Sequence, residues 1–201
     1  MTRHPTPAPS RERSHWLSGR PGWLAAARRV ESPNANERPA GIAVDTVIIH
    51  YISLPPGRFR GDAVERLFTN RLDHDPDPVL AGHASLRVSA HFMIRRAGTL
   101  VQFVSTERRA WHAGPSRLLE REACNDFSIG IEIEGDGEHR FTDAQYQRLS
   151  RLLTVLRGRH PITLIAGHSD IAPGRKFDPG PCFDWPRVLS SEGAMGLVRP
   201  F

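Results

Sequence analysis

The sequence predicts a single domain that alternates strands with helices, and three observations predict it. Three apolar runs, Val44 to Ile49, Phe127 to Glu134 and Ile162 to Ala166, read as strands. Thr142 to Arg157 carries its apolar residues at helical spacing. A length of 201 residues with 39% hydrophobic content suits one globular domain with a sizeable core. Residues 1–20 are polar, Pro-rich and almost without apolar side chains, so they read as a disordered tail. The folded domain is expected over residues 21–190, with 191–201 as a second tail.

The elements follow in order. Trp23 to Val30, WLAAARRV, suits a short helix, and residues 31–43 a loop. Val44 to Ile49 is a β-branched run that reads as a strand buried on both faces, ending in His50. Asp62 to Thr69 suits a short helix, and Asp73 to Pro78 a loop. Val88 to Arg95 alternates Ala90, Phe92 and Ile94, and Ala97-Gly98 turns it into a second strand, Thr99 to Val104. A long loop runs from Trp111 to Asp126. In FSIGIEIE, Ile129, Ile131 and Ile133 face one way and Gly130, Glu132 and Glu134 the other, a pattern that also fits a solvated polar face. Thr142 and Gln145 make a capping box; Tyr146, Leu149, Leu152, Leu153 and Leu156 form a core stripe; Gly158 ends the helix. A short segment around Trp185 to Leu189 closes the domain.

Composition excludes several classes. The net charge is +5 and the pI about 10.2, which favours acidic partners. The basic residues are scattered and not interleaved with aromatics, so a nucleic-acid surface is not expected. No window of eighteen apolar residues exists, and no membrane span is expected. Cys124 and Cys182 form no CxxC and no disulfide framework. With a basic, Pro-rich start that lacks an apolar signal core, the expected location is cytoplasmic. Twenty-six of the 27 basic residues are Arg; the one Lys is Lys176.

That lysine lies in GHSDIAPGRKFDPGP, Gly167 to Pro181, which gathers His168, Asp170, Lys176 and Asp178. Its prolines and glycines forbid regular structure, so these groups hang from a stiff loop beyond a buried strand. His50 and His168 both stand at strand ends. Histidine and carboxylate on such a loop suit zinc, which takes neutral imidazole and oxygen ligands. A His–Asp pair near a turn also serves as a capping device. Which carboxylate would ligate, and which of Glu132 and Glu134 faces a site, pattern alone leaves open.

Five motifs in this order, IIHYISLPPG, LRVSAHFMIRRAGTLVQFV, RRAWHAG, CNDFSIGIEIEG and GHSDIAPGRKFDPGP, closely resemble the zinc-dependent N-acetylmuramoyl-L-alanine amidases. The nearest branch is the AmpD-type 1,6-anhydro-N-acetylmuramyl-L-alanine amidases of bacterial cell-wall recycling. The resemblance runs from about Trp23 to Leu189. It implies a mixed α/β fold, a central mixed β-sheet flanked by helices. It puts the zinc ligands on His50, His168 and Asp178, the catalytic glutamate on Glu132 and the assisting lysine on Lys176. Arg87 and Trp111 match positions that line the substrate groove. Tyr51 is counted with them as substrate-binding, although it departs from relatives, which often carry Asn after the histidine, a change that bears on the peptide contacts and not on the metal.

The same resemblance leaves Asp170 outside the ligand set, makes His91 and His112 structural or supporting, and assigns His74, His83, His139 and His160 to loops or the surface. It implies Zn2+ as cofactor and an anhydro-muropeptide, a peptidoglycan fragment, as substrate, with neither nucleic acid nor membrane as partner. The bond cleaved would be the amide between the lactyl group of anhydro-muramic acid and L-Ala. A peptidoglycan-binding module of the same fold would lack metal ligands, whereas all three ligand positions are filled here.

Overall fold

The computed structural model describes residues 15–73 and 75–201. Residues 1–14 of the expected tail, and His74, lie outside the described residues. The strands are β1 (Arg28–Arg29), β2 (Ala35–Asn36), β3 (Thr46–Ile52), β4 (Phe92–Ile94), β5 (Leu100–Gln102), β6 (Arg109–Ala110), β7 (Arg117–Leu118), β8 (Arg121–Glu122), β9 (Ser128–Glu134) and β10 (Leu164–Gly167). The helices are α1 (Ala63–Phe68), α2 (Pro78–Ala81), α3 (Asp143–Arg157), α4 (His168–Ile171) and α5 (Trp185–Leu189). Six strands form one sheet in the order β1-β5-β4-β9-β3-β10. It is a mixed sheet: β4 and β5 are antiparallel, and the other neighbours are parallel. β2 pairs with β6, and β7 with β8, outside it.

The two central strands explain the position of the site. All seven residues of β9 are buried, as are the first five of β3. The Gly130, Glu132, Glu134 side of β9 is therefore not a solvated face, as its alternation allowed. Helix α3 covers the other side. Its capping box is present, with Thr142 Oγ1 accepting from Gln145 N–H at 3.2 Å and Gln145 Oε1 from Thr142 N–H at 2.9 Å. Leu149, Leu152, Leu153 and Leu156 are buried in the core that also holds Ile129, Ile131 and Ile133. Truncating any one of these leucines to Ala is a change of roughly 2–5 kcal/mol.

Because β3, β9 and β10 run parallel, their C-terminal ends open on one edge of the sheet. His50 stands opposite Glu132, and Ile49 opposite Gly167. Open sheets with parallel strands place ligands at that edge.

Two expectations are corrected. Trp23–Val30 is not helical: it turns and then forms β1. The side chain of Gln102 accepts from Leu24 N–H at 2.8 Å and donates to the Gly22 carbonyl at 2.7 Å. That long-range pairing overrides the helical propensity of the Ala-rich run. The segment after Ser190 is not a tail either. Glu192–Ala194 forms a 3-10 turn, Arg157 donates to the Gly193 carbonyl at 3.1 Å, and Val198 bridges to Leu164 beside β10. Among smaller differences, β4 is shorter than its apolar run, α2 begins on Pro78, the last residue of the expected 73–78 loop, and a small hairpin, β7–β8, lies inside the expected 111–126 loop.

Candidate metal centre

His50 belongs to β3, His168 opens α4 directly after β10, and Asp178 hangs from the following loop. The loop is held firmly. Ser169 N–H donates to the Asp178 carbonyl at 2.8 Å, and Lys176 N–H to the Ala172 carbonyl at 3.1 Å. Arg175 reaches across to the carbonyls of Ala113 at 2.8 Å and Pro115 at 2.5 Å. A Cβ at Gly167 would stand 2.6 Å from the Pro179 ring, so glycine there lets the loop fold back on β10.

Three atoms converge. His50 Nδ1 and His168 Nδ1 are 2.9 Å apart, and each lies 3.0 Å from Asp178 Oδ2. Both imidazoles are buried, and Asp178 is largely so. On its outer side His168 Nε2 lies 3.1 Å from the Ala113 carbonyl, which can only accept. His168 Nε2 therefore donates to that carbonyl. Burial lowers the His50 imidazole to about 4, against a weaker upward pull from Asp178, so it is neutral at pH 7. Burial alone would raise the Asp178 carboxyl, but the His168 and His50 imidazoles beside it hold it well below the usual carboxylate range.

Glu132 lies beside this cluster, buried, with Oε2 lacking any hydrogen-bond partner among the described residues. Burial, then the Asp178 charge, pushes its carboxyl well above the ordinary range; Lys176 opposes both. Lys176 is half-buried and within electrostatic reach of Glu132 and His50. Glu134, one pleat away, is committed elsewhere: it accepts from Arg95 at 3.1 Å and from Arg96 N–H at 2.8 Å.

The remaining residues divide. Tyr51 is half-buried with its ring against Gly137 and Gly180, and burial, then Asp178, raises its phenol. Trp111 is half-buried, and its indole N–H donates to Asn36 at 2.7 Å. Arg87 is exposed and donates to the carbonyls of Ala84 and Leu86. No hydrogen bond joins Trp111 or Arg87 to the cluster among the described residues. Asp170 accepts from Gly167 N–H and pairs with Arg199, a structural role. His91 accepts from Gly130 N–H and donates to the Arg108 carbonyl.

His112 lies against His50, 3.0 Å from its Nε2. His139 is exposed and paired with Asp136. His160 sits in a loop, but it is buried and bonded to Thr106 at 2.8 Å, not on the surface. Sequence reasoning missed Arg175 as the tie between two loops. A cleft of about 540 Å3 nearby is lined by Arg140, Tyr146, Cys182 and Arg187 and by none of the three converging residues. Convergent chemistry, not concavity, marks the site.

The sequence model of the N-acetylmuramoyl-L-alanine amidase family matches residues 40–181. The 1,6-anhydro-N-acetylmuramyl-L-alanine amidase AmpD of Escherichia coli K12 is 51% identical over 168 residues, 83% of this chain and 92% of that protein. A crystal structure of a selenomethionine AmpD derivative is similar with a TM-score of 0.81 at 52% identity, covering 83% of this chain and 94% of the other. The amidase AmiD of E. coli, solved with anhydro-N-acetylmuramic acid-L-Ala-D-γ-Glu-L-Lys, is similar with a TM-score of 0.55 at 29% identity, covering 77% and 60%.

Proposed function

The chain belongs to the N-acetylmuramoyl-L-alanine amidase family, and from that membership we propose how its own residues perform the reaction. It is an amidase that hydrolyses the amide joining (1,6-anhydro-)N-acetylmuramic acid to L-Ala of the peptidoglycan stem peptide, in cell-wall recycling. One observation carries the chemistry: two imidazole nitrogens and a carboxylate oxygen converge at 2.9–3.0 Å beside a buried glutamate with an unpartnered oxygen. One proton can bridge a pair of those atoms but not all three. A cation satisfies them together, and two N donors with one O donor, leaving a position open, suit catalytic zinc.

His50, His168 and Asp178 would hold Zn2+. When bound, zinc supplies a Lewis acid that polarises the scissile carbonyl and makes water more acidic. Glu132, buried and of raised proton affinity, takes a proton from the attacking water and returns it to the departing L-Ala nitrogen. The Lys176 ammonium faces the oxygen that gains charge as the carbonyl carbon becomes tetrahedral. Collapse breaks the C–N bond and leaves the muramic lactyl carboxylate and a free peptide amine.

Tyr51, Arg87 and Trp111 are proposed to contact substrate. Tyr51 has the nearest support, since its phenol senses the charge of Asp178. Arg87 and Trp111 rest on motif position. The working unit is residues 21–190 together with the segments that pack on it from either side, from Trp16 and through Val198. An anhydro-muropeptide, with several carboxylates, complements the net charge of +5. No helix among the described residues is long and apolar enough to cross a membrane. A cytoplasmic setting is the reading that suits the two free cysteines, and neither a membrane nor a nucleic acid is proposed as partner.

Mass spectrometry of an anhydro-muropeptide digest, with and without chelator, tests the proposal. The expected products are the anhydro-sugar and the free stem peptide, lost on chelation and restored by zinc. Undiminished cleavage after complete metal removal would overturn it.

A further inference from the structure

A row of hydrogen bonds runs from His50 away from the converging atoms to the backbone at Cys124, and its direction follows from the far end. Ser128 Oγ lies 2.5 Å from the Cys124 carbonyl oxygen, which only accepts, so the hydroxyl donates there. The same oxygen lies 3.3 Å from His112 Nε2. With its one hydrogen committed, it can only accept, so His112 Nε2 carries a proton. His112 is buried, and no carboxylate bonds to it among the described residues. A buried imidazole without a counter-ion is neutral, so its Nδ1 is bare. That atom lies 3.0 Å from His50 Nε2, which must donate. His50 is then protonated on Nε2 and bare on Nδ1, the atom it turns towards His168 and Asp178.

We propose that His112 is a positioning residue that fixes His50 in its Nε2–H tautomer and aims the Nδ1 lone pair at the metal; this rests on the zinc reading above. Two further features point the same way. Gly130, on β9, leaves room for the ring: a Cβ there would stand 2.6 Å from His112 Nδ1. The His112–Ala113 backbone is pinned by Asn125 Oδ1, which accepts from both N–H groups at 3.1 and 2.8 Å. The Ala113 carbonyl is the acceptor that sets His168. One dipeptide therefore orients both ligand imidazoles, His50 by a side chain and His168 by a carbonyl. Loss of such a partner typically weakens metal binding about 10–100-fold.

Zinc affinity, measured by competition with a chromophoric chelator, tests this on the wild type, His112→Leu, His112→Asn and Gly130→Ala. Imidazole 15N shifts of the metal-free and zinc-loaded wild type report the tautomers. His112→Leu is expected to weaken zinc about 10–100-fold. His112→Asn, whose amide oxygen can stand where Nδ1 stands, should recover most of the loss. Gly130→Ala should weaken zinc by displacing the ring while leaving every ligand in place. The metal-free spectrum should show His50 protonated on Nε2. Wild-type affinity in His112→Leu, equal losses in Leu and Asn, or a proton on His50 Nδ1 would each overturn the proposal. If His112→Leu does not fold, Gly130→Ala and the spectrum decide. A wild type that binds no zinc yet carries the Nε2 proton would support the tautomer assignment and overturn the zinc reading, so the two failures are distinguishable.

Discussion

His50 and Glu132 are direct register partners on the two central parallel strands. Adjacent strands lie about 4.8 Å apart, so the nitrogen proposed to hold the metal and the carboxylate proposed as base leave the sheet side by side. Glu134, opposite Ile52, is one pleat further on and held by Arg95.

Glu132→Gln should keep its metal and its melting temperature and lose about 10²–10⁴-fold in turnover, the usual contribution of a positioned base. Glu134→Gln should do the reverse. It weakens the contacts with Arg95 and Arg96 N–H at a cost of about 1–3 kcal/mol and leaves most of the rate. Paired kinetics and thermal denaturation separate the two, and an exchange of behaviours would move the base to Glu134.

Zinc content should fall in His168→Ala and Asp178→Ala, because each removes one of the three proposed protein donors. Metal analysis after gel filtration is the check; full occupancy in either variant would remove that residue from the ligand set.

Lys176→Arg should retain zinc but turn over roughly tenfold more slowly or worse, since a planar guanidinium does not reproduce a compact ammonium. An unchanged kcat would leave Lys176 without a catalytic part.

Removal of residues 191–201 should lower stability by roughly 3 kcal/mol or more. The deletion removes buried Ala194 and Leu197, the Ile165 N–H to Val198 carbonyl bond and the Arg199–Asp170 pair, with burial as the dominant loss. A melting curve identical to that of the full chain would show that this segment only rests on the domain.

Stability should also fall on mild acidification, in part through His160. Burial lowers its imidazole to about 4, while an unfolded chain takes up the proton near 6.5. Between those values the unfolded state binds more protons, so stability is complete above about pH 6.5 and declines as pH falls towards 4. Melting temperatures across this range should decline less steeply for His160→Gln. Only part of the slope will go, because His91 and His112 are buried and lowered in the same direction.

Sequence periodicity was sufficient where a whole element obeyed one rule. The alternating isoleucines of β9 and the capping box of α3 stand where they were expected, and the β-branched run does form β3, but that strand runs on to Ile52, so His50 lies inside it and not at its end, while His168 does follow directly on β10. It failed where a distant side chain decides. Gln102 turns Trp23–Val30 away from helix from some eighty residues along the chain. Ser150 and Thr163 fix a C-terminal segment too sparse in apolar residues to look like structure. The choice between Glu132 and Glu134 is of this kind: strand period puts both on one face, and only the position of Arg95 separates them. His160 looks like surface because loops usually are, but Trp16 and Thr106 enclose it.

The converging residues come from opposite halves of the chain, His50 being separated from His168 by 118 positions and from Asp178 by 128. An unfolded chain would have to close loops of that size before it offered the same three donors, at an entropy cost that grows with their length. The proposed metal affinity would therefore be a property of the folded sheet alone, and occupancy would act as a latch on it. Free zinc at a thousand times its dissociation constant would add about 4 kcal/mol to the stability of the fold. Chelation would then silence the enzyme and shorten its life by the same act, exposing β3 and β10 to unfolding at temperatures the loaded protein withstands.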